Sequence, residues 1–564
     1  MGPITALRAG LVTLVGLAAS ACASTPAFLG PDEGPQTAYG AVLSASYASG
    51  VRDVEASARL YGEALSFDPG SAHVNERAFL SALTAGAFNL ADRASVDVIQ
   101  NEGASQLAYR YVDAARLAGA RLSAEPVAEA EADRFSALVA SILDDWQVAK
   151  QSRRSRDALA EALLNEPMDV SGYRLVHRAL LLELAGYDAE AEAAYRAADA
   201  ALDLRDYTTV LLGAFLERQG RDDDARLAYR AQIARSTGRV NAEVQAALDR
   251  MEAGGRAPRR PDPAEAAARA LFAPAAFLVR QAPAEYAVLY LRLIERLDPD
   301  FALNRRALAE LFEQLELYDQ ALASYDRLDD SAYAYRAGVN AAWLRFRVGD
   351  GELAMEQMRA LQKGAPFEAE LALADMMRFS GDCEAALPIY NRVIEARAEA
   401  GEAADWRHAF YVGICLETTE GWQAAEPFYE TALALAPDEP MVLNHLGYSW
   451  IVGGERVDEG VDLTARAAAL APENGSILDS FGWGLFKIGR NEDAVRWLER
   501  AAAQSPANAT IQWHLGDAYA AVGRTLEARF QWRRALELDP DADEVALIER
   551  RLELGLEAGP EDVS

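Results

Sequence analysis

Three prolines near the end of the chain fall in one register: 472 to 506 to 540, two steps of 34 residues. The residues between them keep the same spacing. Gly482 is followed by Leu485, Ala494, Leu498 and Ala501, and Gly516 by Tyr519, Ala528, Trp532 and Ala535, at matching offsets. Small residues at Gly516, Ala528 and Ala535 let two helices cross closely, while Tyr519 and Trp532 fill the space beside the crossing. Proline ends the second helix, because it lacks an amide donor and clashes with the preceding turn. One such hairpin cannot bury its apolar side alone, so hairpins must stack.

A self-similar period of 34 is that of a tetratricopeptide array of paired helices. The expected fold class is therefore all-α, a superhelical solenoid of roughly a dozen helix pairs. The register extends upstream with decreasing clarity. It runs through Gly447, Trp450, Gly460 and Ala467, through Gly413, Leu416, Ala425, Tyr429, Ala432 and Pro437, and through Ala374, Gly381, Ala386 and Tyr390. Ala342, Gly349, Ala354 and Met358 fit, as do Gly213, Leu216, Gly220, Ala225 and Tyr229, and Leu175, Ala179, Gly186, Ala191 and Tyr195. Residues 72–157 read as helical pairs with poor repeat signatures.

The run AGGRAPRRPDP, residues 253–263, breaks the pattern with loop-forming Gly and Pro. It predicts a linker between an irregular N-terminal solenoid, 39–252, and a C-terminal solenoid, 264–541; the competing expectation is a long loop within one array. Residues 542–564 form a capping helix and tail, since a repeat array needs a polar end.

The chain opens with Arg8, an apolar run from Leu11 to Ala19, and then Ala19-Ser20-Ala21-Cys22. The run is too short to span a bilayer and has the layout of a secretory signal peptide, residues 1–21. Small residues before a cysteine fit a bacterial lipobox with Cys22 as the lipidated N-terminus, although Ala19 stands where Leu is preferred. Ala19-x-Ala21 also suits ordinary signal peptidase, which would leave a soluble periplasmic protein. Residues 22–38, rich in Pro, Gly, Ser and Thr, read as a flexible tether. Ala23, rather than Asp, follows the cysteine, which points to the outer membrane, facing the periplasm.

Net charge decides against one class of partner. With 55 Lys+Arg against 87 Asp+Glu the formal charge is −32, and nucleic acid requires a basic face. No catalytic motif is present: no G-x-S-x-G, no phosphate-binding Gly-Lys loop, and no metal-ligand spacing among His73, His177, His408, His445 and His514. The expectation is no enzyme, no cofactor, no metal and no small-molecule substrate.

In this architecture first helices line the concave face. The last units are expected to present Phe410, Ile414, Asn444, Tyr448, Asp479, Trp483, Phe486, Trp513 and Asp517 there, exposed to a peptide or a partner helix; packing of some of these aromatics between units is the opposing reading. Lys487 is the sole Lys or Arg in the first helices of the last three units, which argues against a carboxylate clamp. Cys383 and Cys415 fall on one edge of the stack and could approach as a disulfide or remain separate buried thiols.

Residues 443–501 carry HLGYSW, PENGSILDSFGW and KIGRNEDAVRWLERA. This run resembles the outer-membrane tetratricopeptide lipoproteins, among them the LbcA-type adaptor of the periplasmic C-terminal processing peptidase. The resemblance covers about the last 150 residues. It implies a scaffold or adaptor with protein partners in the cell envelope, a C-terminal processing peptidase or a cell-wall hydrolase, and a lipid anchor in the membrane. A component of an export or polysaccharide-secretion machine is the alternative; a glycan-binding or lytic enzyme would need a carboxylate pair that the sequence does not single out.

Overall fold

The computed structural model describes residues 35, 37–101, 104–123, 133–165, 172–202, 204–236, 241–362, 366–401, 403–454 and 456–556. These form 29 helices, with no strand among the described residues. The chain divides into two compact units, an N-terminal one ending at Arg345 and a C-terminal one from Phe346. Residues 253–263 lie inside the N-terminal unit, so the division falls some way beyond the linker read from composition. The physical reason is that the helices after this segment pack back on helices that precede it.

Hairpin turns explain the recurring glycines. At the bend between first and second helices the backbone is left-handed, with φ between 71° and 98° at Gly186, Gly220, Gly349, Gly381, Gly454, Gly489 and Gly523. Glycine enters that region without a Cβ clash. At two bends a residue with a side chain takes its place: Arg52 and Glu316 hold them at φ 65° and 58°. These two strained residues are ion-paired with each other.

The N-terminal unit is not a simple stack. Its hairpins include Ala72–Ala85 with Phe88–Val98, Leu175–Ala185 with Asp188–Ala201, and Arg205–Arg218 with Asp222–Arg235. Against them lies a pair of helices from much later in the chain, Pro263–Gln281 and Ala284–Leu297. Asp262 caps the first of these in a reciprocal capping box with Glu265, and Pro263 sits at its first position. That helix buries Ala266, Ala267, Ala268, Ala270, Leu271, Phe272, Ala273, Pro274, Ala275 and Leu278, too many consecutive positions for one face. A helix buried all round belongs to a core rather than a surface. It packs on Arg134–Gln151 and Leu175–Ala185, while Ala284–Leu297 packs on Ala72–Ala85 and Gln106–Leu117. Polar ties fix the arrangement: Tyr207 Oη donates to Arg269 O at 2.5 Å, Arg292 Nε to Thr84 O at 3.1 Å, and Arg296 pairs with Asp92 at 3.0 Å. One continuous core therefore runs from Ala45 to Leu344.

The C-terminal unit follows the sequence register. Its hairpins are Pro366–Phe379 with Cys383–Glu399, Trp406–Thr419 with Trp422–Leu435, Pro440–Gly453 with Val457–Leu470, Gly475–Lys487 with Asn491–Gln504, and Ala509–Ala521 with Thr525–Glu537. Ala542–Leu554 caps them. At one crossing two glycines face each other: a Cβ at Gly460 would lie 2.5 Å from Gly447 O, and one at Gly447 would lie 2.8 Å from Gly460 O. Apolar burial here falls into successive clusters along the stack, as expected when each hairpin touches only its neighbours.

Candidate partner-binding groove

First helices are positioned by their caps. Asn474 accepts from Ser476 N and Ile477 N at 3.1 and 3.2 Å, and Asn508 accepts from Ile511 N at 3.0 Å. Each cap satisfies amides that a helix start leaves unpaired. With the starts fixed, residues a repeat apart meet across adjacent first helices.

What meets there is a ladder of buried acids. Glu183 accepts from Tyr195 Oη at 2.8 Å and from Arg218 Nε at 2.7 Å; Glu217 accepts from Tyr229 Oη at 2.9 Å and from Arg250 Nη2 at 2.8 Å. The motif recurs in the C-terminal unit. Glu417 accepts from Tyr429 Oη at 2.7 Å and lies 3.0 Å from His445 Nε2. Asp517 accepts from Trp532 Nε1 at 3.0 Å and Arg551 Nε at 3.2 Å, and His514 Nδ1 lies 2.9 Å from both oxygens of Asp479. In the triads of Glu183, Glu217, Glu417 and Asp517 the ring comes from the hairpin's own second helix and the base from the helix one repeat later. Burial pushes the Glu417 carboxyl up, but the His445 and Tyr429 hydrogen bonds outweigh it and hold it below the usual carboxylate range. Burial dominates at Asp517, whose carboxyl is raised despite Arg551 and Trp532.

The nine residues expected on the groove are not exposed. Phe410, Asp479, Trp483, Trp513 and Asp517 are buried, with Trp483 at 6% and Trp513 at 8% exposure. Ile414, Asn444, Tyr448 and Phe486 are half-buried. The reason is packing between units. The Trp483 ring stacks on His514 at 3.9 Å and 13° and on Phe486 at 4.8 Å, and meets Trp513 edge-on at 5.1 Å. Trp513 Nε1 donates to Glu544 Oε1 at 2.9 Å, and Thr510 Oγ1 to the same oxygen at 2.7 Å. Phe410 sits against Tyr429 and His445. Asp479 and Asp517 serve the ladder. Lys487 keeps its ammonium 5.1 Å from the Trp483 ring.

What remains on the groove wall is a row of half-buried groups: Asn444, Tyr448 and Phe486. Asn444 Oδ1 is buried without a hydrogen-bond partner, a group whose desolvation is not yet compensated. Tyr448 packs against the Trp483 cluster, and burial, with Asp479 and Glu544 nearby, raises its hydroxyl.

Sequence reasoning missed His514, Glu544, Arg551 and the Glu417–His445 pair. The available signal was an acid in one first helix and a base about one repeat later. Cys383 and Cys415 do come together, both buried and both free thiols. The Cys415 thiol, hydrogen-bonding the Cys383 sulfur, lowers Cys383 to about 7, and Cys415 is raised in turn. Cys22 lies outside the described residues. Among the described residues no helix is long and apolar enough to cross a membrane.

Comparison with known proteins agrees with the repeat reading. The TPR repeat family is matched over residues 484–523. The TPR repeat-containing protein PA4667 of Pseudomonas aeruginosa is 36% identical over 85 residues, 15% of this chain and 14% of that protein. The chain thus matches only a small part of that relative's length. Among solved structures, YrrB, described as a TPR protein with an unusual peptide-binding site, is 18% identical with TM-score 0.28, covering 34% of this chain and 97% of its own. A tetratricopeptide repeat protein from Parabacteroides merdae is 15% identical with TM-score 0.34, covering 45% of this chain and 98% of its own. The APC/C hetero-tetramer Cut9-Hcn1 is 14% identical with TM-score 0.38, covering 91% and 95%. The 34-residue register, the helical hairpins and the family match together make this chain an all-α protein of stacked helical hairpins, with tetratricopeptide repeats in its C-terminal unit.

Proposed function

We propose that the protein is a non-catalytic scaffold that captures protein partners in the bacterial envelope through its C-terminal unit. The observation that carries this reading is a contrast between the units. First helices of the N-terminal unit are covered by the chain's own Pro263–Leu297 pair, whereas the packing in the C-terminal unit is between helices close in the chain. Its groove wall, with Asn444, Tyr448 and Phe486, is left for another chain. A row of half-buried side chains, Asn444, Tyr448 and Phe486, suits the side chains of an extended peptide.

The leader and Cys22 support a lipid anchor that holds the scaffold at the outer membrane, facing the periplasm. The resemblance of residues 443–501 to LbcA-type adaptors supports a role in bringing a C-terminal processing peptidase to cell-wall hydrolases. Co-purification of the full chain with the processing peptidase from solubilised membranes tests this reading. The peptidase is expected with the wild type and lost with Tyr448→Ala/Phe486→Ala; co-purification of secretion-machine components in its place would replace the reading.

A further inference from the structure

The first described helix, Ala38–Gly50, carries no Asp, Glu, Lys or Arg, in a chain whose composition is 25% charged. Thr37 caps it, accepting from Gly40 N at 3.0 Å. One face, Ala41, Ala45 and Ala48, is buried. The opposite face is open: Tyr39 is 78% exposed, Leu43 59% and Tyr47 62%, and Val51 continues the line at 55%. A spacing of four keeps these side chains on one stripe. Helices on the surface of a soluble array present a polar outer face, so an uncharged apolar stripe on this first described helix calls for a cover.

We infer that this stripe lies on the surface of a lipid bilayer. The inference rests on the anchoring at Cys22 proposed above. Ala38 follows Cys22 by sixteen positions, so an extended connection reaches at most roughly 50–60 Å. The helix is therefore confined near the membrane that would hold the anchor. Its chemistry fits the interface. Tyrosine sets an apolar ring beneath a polar hydroxyl at headgroup level, and Leu43 between the two tyrosines enters the acyl boundary. Charge points the same way: a chain of −32 is repelled by an anionic surface, and an uncharged helix is a place where that repulsion is least. A second copy is the weaker occupant, because one helical stripe falls well short of the ~1,200 Å² that a stable interface buries in total.

Fluorescence quenching on vesicles of phosphatidylethanolamine and phosphatidylglycerol tests the inference. The full mature chain carries a bimane at Leu43→Cys in a Cys383→Ser/Cys415→Ser background, which removes the two native thiols of the described residues. One preparation is the lipoprotein itself. In the other, a hexahistidine replaces Cys22 and is held by nickel-chelating lipid, which supplies the tether whether or not Cys22 is acylated. Expected is severalfold stronger quenching by nitroxide-labelled lipid than by aqueous iodide in both preparations, reversed by Tyr39→Ser/Tyr47→Ser. Vesicle-bound protein whose label answers only to iodide overturns the docking while leaving anchoring intact. Disulfide-linked dimers of unlabelled Leu43→Cys overturn it in favour of a second copy. A lipoprotein preparation that fails to float with vesicles, beside a nickel-tethered one that is quenched, removes the anchor reading and keeps the docking.

Discussion

His514 Nδ1 lies 2.9 Å from both carboxylate oxygens of Asp479, with its ring flat against Trp483. The contact joins two successive first helices through a buried pair, and its loss leaves Asp479 at 5% exposure with no base. Leaving a buried carboxyl without its hydrogen-bond partner costs about 1–3 kcal/mol. His514→Phe is therefore expected to lower the denaturant midpoint of the C-terminal unit strongly. The double variant His514→Phe/Asp479→Asn is expected to recover part of that loss, because the unpaired charge is gone. A double-variant loss equal to the sum of the losses of His514→Phe and Asp479→Asn alone would show that the pair is not coupled.

The Glu417–His445 contact gives a pH dependence with a definite sign. The Glu417 carboxyl is lowered in the folded state, so its contribution is complete above the unfolded carboxyl value and is lost as pH falls through the folded value. Acid unfolding of the C-terminal unit is expected to begin below about pH 4.3, the ordinary glutamate range. Glu417→Gln is expected to flatten this limb in urea titrations between neutral and acid pH. A variant whose acid limb matches the wild type would contradict the assignment.

Gly447 and Gly460 set a close backbone crossing in the last hairpins. A methyl at Gly460 meets the Gly447 carbonyl at 2.5 Å, a backbone atom that cannot rotate away. Gly460→Ala is expected to cost about 1–3 kcal/mol through overpacking. Gly523→Ala acts by another route, since nothing lies near its missing Cβ and the left-handed φ of 79° is the obstacle. The expected loss there is about 1–2 kcal/mol. Thermal unfolding of both variants checks the two values.

Glu316 is the converse case. It holds a left-handed bend at φ 58° where most other hairpins have glycine. Glu316→Gly relieves strain of about 1 kcal/mol and gives up an exposed ion pair with Arg52 that contributes less. A small rise in the stability of the N-terminal unit is expected; a fall would show that the ion pair dominates.

Much of the fold was legible because 34-residue periodicity needs no tertiary knowledge. Gly482, Gly516 and Trp532 stand in the hairpin positions that their offsets imply. The central helix was not legible as such. Residues 264–281 fall inside the expected C-terminal solenoid 264–541, and only the burial of Ala266, Ala270, Phe272 and Ala273 around the helix circumference shows it to be enclosed. The groove residues failed for a related reason. Consensus positions give the side of the helix but not the next unit's side chains, and at Trp483 and Trp513 those side chains close the surface. Cys383 and Cys415 are both buried and hydrogen-bond each other, on the hairpin edges where the register puts them.

Hydrogen exchange of the full chain, with and without its captured partner, separates an open C-terminal groove from a closed one. New protection is expected in Pro440–Gly453 and Gly475–Lys487, which carry Asn444, Tyr448 and Phe486, and none in Pro263–Leu297, which the fold already covers. Protection gained across Pro263–Leu297 or its surrounding first helices, with the C-terminal first helices unchanged, would contradict capture by the C-terminal unit.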